Sequence, residues 1–228
     1  MIELLRQDFP CHYGLHKSKI AVPNETTNQE YFDLTDGGDI ILVPYGAGNI
    51  SFDHSTQTDI VVINYEKFLN GLSGTAFERG RKRCDFILYE AGGAGDAFFL
   101  LNEQTSTLGT TDNLSKPILD KNKNVVYPGG KYEKVEVQLS ETVQTLKAVA
   151  SIGAFINKYR HKVCLMSYVI TPRKPDDVSE ARYAFSARYR QVETRETGEN
   201  GAELAQPVLN AEGFEYRRIS HAYPFKLS

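Results

Sequence analysis

Two rhythms of apolar and polar positions divide this chain. Between residues 59 and 171 the apolar positions gather into continuous runs and one long stripe, whereas on either side they form short runs broken by turn formers. The runs at 60–63, 84–89, 97–101 and 163–170 are short and β-rich, which predicts buried strands. The third continues into Asn102, Glu103, Gln104 and Thr105, and the fourth stops at Pro172. Asn64 is placed to cap a helix over 65–72 that carries Phe68, Leu69 and Leu72 on one side, with Gly71 and Gly74 to end it. From Tyr132 to Lys158, Leu139, Val143, Leu146, Val149, Gly153 and Ile156 recur at three-to-four spacing and predict one long amphipathic helix. The glycine-rich stretch 90–96 reads as a hairpin connection, and the polar, proline-punctuated stretch 106–130 as a long loop. Continuous apolar strands separated by helices imply a sheet covered on both faces.

The flanks are built differently. Up to Gln57, short apolar runs follow Asp36-Gly-Gly-Asp and Gly46-Ala-Gly-Asn, which predicts two to four short strands that extend or cover an edge of the sheet. After Lys174 comes an alternating segment with Arg182, Tyr183, Phe185, Arg188, Tyr189 and Arg190, then a charged turn over 193–201, then an aromatic-rich end from Phe214 to Phe225. Its alternation is ordinary strand chemistry, although stacking and backbone contact in a nucleic-acid groove use the same residue types. The expected organisation is a single domain over 1–228: a β-rich N-terminal extension (1–58), a core (59–173) and a C-terminal strand or hairpin addition (174–228).

Composition narrows the class. The 228 residues fit one domain, and 41% hydrophobic with 11% aromatic content is globular. With 26 Lys+Arg against 29 Asp+Glu the net charge is −3, which argues against a uniformly basic nucleic-acid coat and leaves a local basic groove open. No apolar run approaches the roughly 18 residues that span a bilayer, so no membrane partner is expected. The first ten residues lack a basic stretch followed by an apolar one, and Cys11, Cys84 and Cys164 are widely spaced; both features point to the cytoplasm. Cys11, His12 and His16 have no second ligand pair at metal spacing, and His161 and His221 have no partner at catalytic spacing.

The candidate chemistry lies in the core. Asp85 opens one predicted strand and Glu103 ends the next, so two carboxylates point into one cleft. Such hard oxygen ligands suit Mg²⁺ or Mn²⁺, which polarises a phosphodiester and lowers the pKa of an attacking water. The plainer roles are an ion pair or cap between Asp85 and Arg81 or Arg83, and a solvated strand end at Glu103.

The order of these pieces resembles the PD-(D/E)xK nuclease-like superfamily. Arg81-Lys-Arg-Cys-Asp85-Phe-Ile-Leu is similar to its basic, acid-led first strand; Phe98-Phe-Leu-Leu-Asn-Glu103-Gln-Thr105 to its second; and Val137-Gln138-Leu139 to its following helix. The likeness runs from Asn64 to Thr171, roughly half the chain. It implies an α/β (α+β) fold, a central mixed sheet flanked by helices, with a restriction-endonuclease-like αβββαβ core and additional terminal strands. It further implies metal ligation by Asp85, Glu103 and the Gln104 backbone carbonyl, a site-orienting or phosphate-touching Gln138, and nucleic-acid contacts from Arg79, Arg81, Lys82 and Arg83. Glu66 or Glu78 would be the extra acid some members use. The chain departs from the pattern at Thr105, where the family carries its catalytic lysine. The resemblance then requires a displaced lysine, with Lys147 on the long helix as one candidate and Lys116, Lys121 or Lys123 in the loop as others. Two alternatives stand beside the Mg²⁺-dependent nuclease: a non-catalytic descendant that binds a protein partner, and an unrelated small-molecule-binding α/β protein.

Overall fold

A computed structural model describes residues 1–15, 20–35, 41–72, 82–93, 95–171 and 200–227. Arg79, Arg81, Glu78, His16 and the 182–190 segment lie outside these residues. Their expected roles therefore have no structural counterpart here.

The architecture is mixed α/β around a seven-stranded sheet. Its strands are β1 (Asn24–Thr27), β5 (Ile60–Asn64), β6 (Phe86–Glu90), β7 (Gly95–Leu108), β10 (Tyr159–Thr171), β12 (Glu215–Ser220) and β11 (Ala202–Leu204), in that spatial order. Pairing is antiparallel from β1 to β7, parallel for β7–β10 and β10–β12, and antiparallel again at β11. The four apolar runs of the core are β5, β6, the first half of β7, and β10. Asn64 caps α3 (Tyr65–Gly71) by accepting the Lys67 N–H at 2.8 Å, as its position predicts.

One face of this sheet is covered by helices, the other by a second sheet. On the first face, Ile87, Phe99, Leu101, Cys164 and Met166 pack against α4 (Gly130–Ala148) and α5 (Ala150–Ile156) through Leu139, Val143, Leu146 and Ile152. On the second, Leu88, Phe98, Leu100 and Leu165 pack against Phe32, Phe52 and Phe225 of a four-stranded sheet. Its order is β13 (Phe225–Lys226), β4 (Ile50–Asp53), β2 (Tyr31–Leu34), β3 (Leu42–Val43). The expectation of a sheet flanked by helices thus holds on one face only. The short runs of the N-terminal flank are too brief for helices, and they bury their aromatic residues by pairing with one another and with the C-terminal end. Of these runs, β1 extends the large sheet and β2–β4 cover its face.

Three further differences have local causes. The N-terminus begins with two helical turns, α1 (Ile2–Arg6) and α2 (Asp8–His12), which place Leu5 and Phe9 fully in the core against Phe68. Their 3.6-residue periodicity spans too few residues to register in the sequence. The single helix expected over 132–158 breaks at Val149, whose ψ of 108° is extended, so α5 starts anew at Ala150. The expected loop at 106–130 contains the end of β7, a 3₁₀ turn at Thr111–Leu114, and a hairpin of β8 (Ile118–Leu119) and β9 (Val125–Tyr127). It ends at Gly130, where φ is +70° and a Cβ would run into the carbonyl oxygens of Leu114 and Lys116. Only glycine fits there, and that position sets where α4 begins.

Candidate functional site

The site is assembled where β6 starts and β7 outruns it. Phe86 pairs with Asn102 across the antiparallel ladder, so Asp85 falls opposite Glu103, and both share the face of Ile87 and Leu101 that looks at α4. Asp85 is locked from several sides. Its N–H donates to Asn102 O at 3.1 Å, its Oδ2 accepts the Gln104 N–H at 2.6 Å, and its carbonyl accepts the first N–H groups of α3, from Tyr65 at 2.8 Å and Glu66 at 3.2 Å. The Gln104 carbonyl lies on the same strand edge as its N–H and so faces the Asp85 side.

Helix α4 holds the lead-in to this strand with one stripe of polar side chains at i, i+3 and i+4. Gln138 Nε2 donates to Arg83 O (2.9 Å), Glu141 Oε2 accepts the Lys82 N–H (3.2 Å), and Thr142 Oγ1 accepts the Cys84 N–H (2.8 Å). Thr142 in turn donates to the Gln138 carbonyl at 2.8 Å. Gln138 Nε2 also donates to Glu103 Oε1 at 2.7 Å, so this one amide fixes both the approach to Asp85 and the orientation of Glu103. The expected role of Gln138 in orienting the acidic site is thereby given a geometry.

Glu103 is 4% exposed, and its second oxygen, Oε2, is buried with no hydrogen-bond partner. Burial, reinforced by the neighbouring Asp85 charge, pushes the Glu103 carboxyl well above its ordinary range. Lys134 and the Gln138 hydrogen bond pull in the opposite direction, and Glu66 adds to the upward push. An orphaned carboxylate oxygen beside a second carboxylate is costly without a cation. The chemistry of two carboxylates and a main-chain carbonyl fits a hard divalent cation. Among the described residues no group of three His, Cys, Asp or Glu side chains is placed to hold a metal.

The remaining expected residues separate. Lys147 does not reach the acids: its Nζ bonds the carbonyl and the carboxylate of Glu212. It lies nine residues beyond Gln138, about 13 Å along the helix axis. Lys116, Lys121 and Lys123 are exposed on the segment that carries the β8–β9 hairpin. Arg83 turns to α3, where Nη2 donates to Glu66 Oε1 (3.2 Å) and Asn70 Oδ1 (2.5 Å), and Lys82 Nζ sits 4.8 Å over the Tyr127 ring. Both basic residues are thus engaged within the molecule, and Glu66 is held by Arg83.

The positive charge that most opposes the upward push on Glu103 is that of Lys134, which sequence reasoning missed. It precedes Gln138 by four residues and so shares its helix face, a spacing that was there to be read. Lys131, one turn earlier, bonds the Ser106 carbonyl. Lys131, Lys134 and Thr105 line one cavity of about 250 Å³ at the carboxyl ends of the parallel strands β7 and β10. This is the end of such sheets where ligands commonly bind.

None of the described helices is long and apolar enough to cross a membrane. Comparison with protein-family models, with curated proteins and with solved structures yields no match.

Proposed function

We propose that this chain is a nuclease-type phosphodiester hydrolase with a restriction-endonuclease-like core, in which Lys134 takes the place of the lysine absent at Thr105. The observation that carries the reading is buried Glu103, held through Oε1 by Gln138 with Oε2 left without a partner, on a helix whose same face carries Lys134 four residues before Gln138. Asp85, Glu103 and the Gln104 carbonyl would hold Mg²⁺ or Mn²⁺, which when bound polarises the phosphodiester and acidifies a water. Gln138 keeps Glu103 Oε1 oriented, leaving Oε2 for the cation. The Asp85 carboxylate is aimed by the Gln104 N–H before any ligand arrives, so little reorganisation is needed. Lys134 supplies positive charge where negative charge develops on the phosphate oxygens.

The test is cleavage of single- and double-stranded DNA and RNA in Mg²⁺ and Mn²⁺, alongside calorimetric metal titration. Lys134→Gln is expected to lower the cleavage rate by at least about a hundredfold while metal binding persists. Asp85→Ala is expected to abolish both. Thr105 favours a second reading, a binding module that keeps the cleft without cutting. Metal binding with no cleavage of any substrate would select that reading, and absence of both would overturn the metal site.

A further inference from the structure

The cavity beside the acidic pair has a recognition side as well as a charged side. Gln104 alternates to the opposite face of β7 from Glu103, and its amide Oε1 and Nε2 are both buried with no hydrogen-bond partner. Both belong to a side chain that lines the 250 Å³ cavity. An unpaired amide donor and acceptor buried together cost stability unless something completes them. Next to it, the fully buried Asn102 donates through Nδ2 to Leu165 O and to Ser167 Oγ, each at 3.1 Å. Since Ser167 Oγ accepts that bond, its own O–H is left to donate, and Ser167 also lines the cavity. Across the opening stand Lys131 and Lys134, two ammonium groups on successive turns of α4. Lys131 donates to the Ser106 carbonyl, and burial together with the charge of Lys134 lowers its pKa.

These walls select a ligand class. Among the described residues Val169 is the one apolar side chain lining the cavity, so a greasy ligand gains little there. The matching ligand presents an anion to the lysines and a paired donor–acceptor edge to Gln104, and it is small. We propose that this cavity binds a single nucleotide unit, with its phosphate on Lys131 and Lys134 and its base edge read by the Gln104 amide. The choice of nucleotide over another phosphorylated metabolite rests on the phosphodiesterase reading. The proposal goes beyond that reading by making the substrate a strand end or an unpaired base, since a stacked duplex cannot place one base edge inside so small a cavity. A planar amide that offers one donor and one acceptor is the side chain that reads adenine by two hydrogen bonds.

Binding is measured by calorimetry in EDTA, so that neither metal nor cleavage contributes. The probes are the four nucleoside monophosphates, ribose 5-phosphate, inorganic phosphate, and a five-nucleotide oligomer offered single-stranded and within a duplex. One mononucleotide is expected to bind at least about tenfold more tightly than ribose 5-phosphate or phosphate. Gln104→Leu is expected to erase that preference with the melting temperature held or raised, and Lys131→Gln to weaken every phosphorylated probe. Tighter binding of the single strand than of the duplex identifies a nucleic-acid strand as the source, and binding of the mononucleotide alone identifies the free metabolite; either supports the cavity's assignment. Equal binding of ribose 5-phosphate and the mononucleotides overturns it, as does no binding at all, or a base preference that survives Gln104→Leu. Should Gln104→Leu fail to fold, Lys131→Gln and the comparison among probes decide. A protein that discriminates bases in EDTA yet never cuts loses the hydrolase reading and keeps this one, and a protein that cuts without base preference does the reverse.

Discussion

The two halves of β7 make an instructive contrast. From Ala97 to Leu101 the strand is apolar on both faces and fully packed, with Phe99, Leu100 and Leu101 at 1% exposure or less. From Asn102 onward the same strand, still paired with β10 residue by residue to Leu108, carries the buried Asn102 and Glu103 and the half-buried Gln104, whose amide atoms are themselves enclosed. The strand pairs with β10 through both halves; what changes is that β6 begins only at Phe86, opposite Asn102, and α4 presents polar residues instead of leucines. The first half is built for stability. The second leaves Glu103 Oε2, Asn102 Oδ1 and the Gln104 amide without partners, a local cost in stability that the proposed binding would offset.

Substitutions can break or sharpen this contrast, and they fall in a clear order. Leu101→Ala, in the packed half, is expected to lower unfolding free energy by about 3 kcal/mol in a urea titration, because a fully buried leucine leaves a cavity. Gly130→Ala is expected to cost about 2 kcal/mol and to weaken metal binding together with stability, since the left-handed start of α4 sets the position of Lys134 and Gln138. Glu103→Gln should change the pH dependence more than the stability maximum. The folded-state pKa of Glu103 lies above its ordinary value of 4.5, so between those two pKa values the folded chain holds a proton that the unfolded chain has released. Stability therefore falls as pH rises through that window, by at most about 1.4 kcal/mol per pH unit from this group. Unfolding midpoints across pH 4 to 8 are expected to lose this component in the variant, and added Mg²⁺ should offset it in the wild type if the acidic pair takes the ion. Lys147→Gln is the smallest change: the half-exposed pair with Glu212 is worth well under about 1 kcal/mol, read as a slight drop in melting temperature.

Much of the central architecture was legible because its elements are long or continuous. The runs at 60–63 and 163–170 lie in strands, as does 86–89 of the run at 84–89, Asn64 caps its helix, and the order of Asp85, Glu103 and Gln138 along the chain does bring them together. What stayed hidden depends on contacts between distant residues. The run that ends in Leu42–Val43 was legible as a short strand, but its place in a separate covering sheet, set by pairing with Tyr31–Leu34, was not. The break at Val149 lies within an unbroken apolar stripe. Lys147 and Lys134 look equivalent as helix lysines; what separates them is that Lys147 is paired with Glu212 whereas Lys134 lines the cavity at the carboxyl ends of β7 and β10.

The pairing of β13 with β4 sets a timetable for folding. Phe225 lies beside Phe52, a sequence separation of 225 − 52 = 173 residues, and Leu227 donates its N–H to Asp53 O at 2.8 Å. As the chain leaves the ribosome, Phe98, Leu100 and Leu165 are synthesised well before Phe225 and Leu227 arrive to complete their cover. Closing so long a loop costs little more than closing one of half the length, so the delay is one of order rather than of equilibrium stability. During that interval the nascent chain presents aromatic surface to other chains. Replacing Phe225 and Leu227 by polar residues would leave part of that surface uncovered after folding as well.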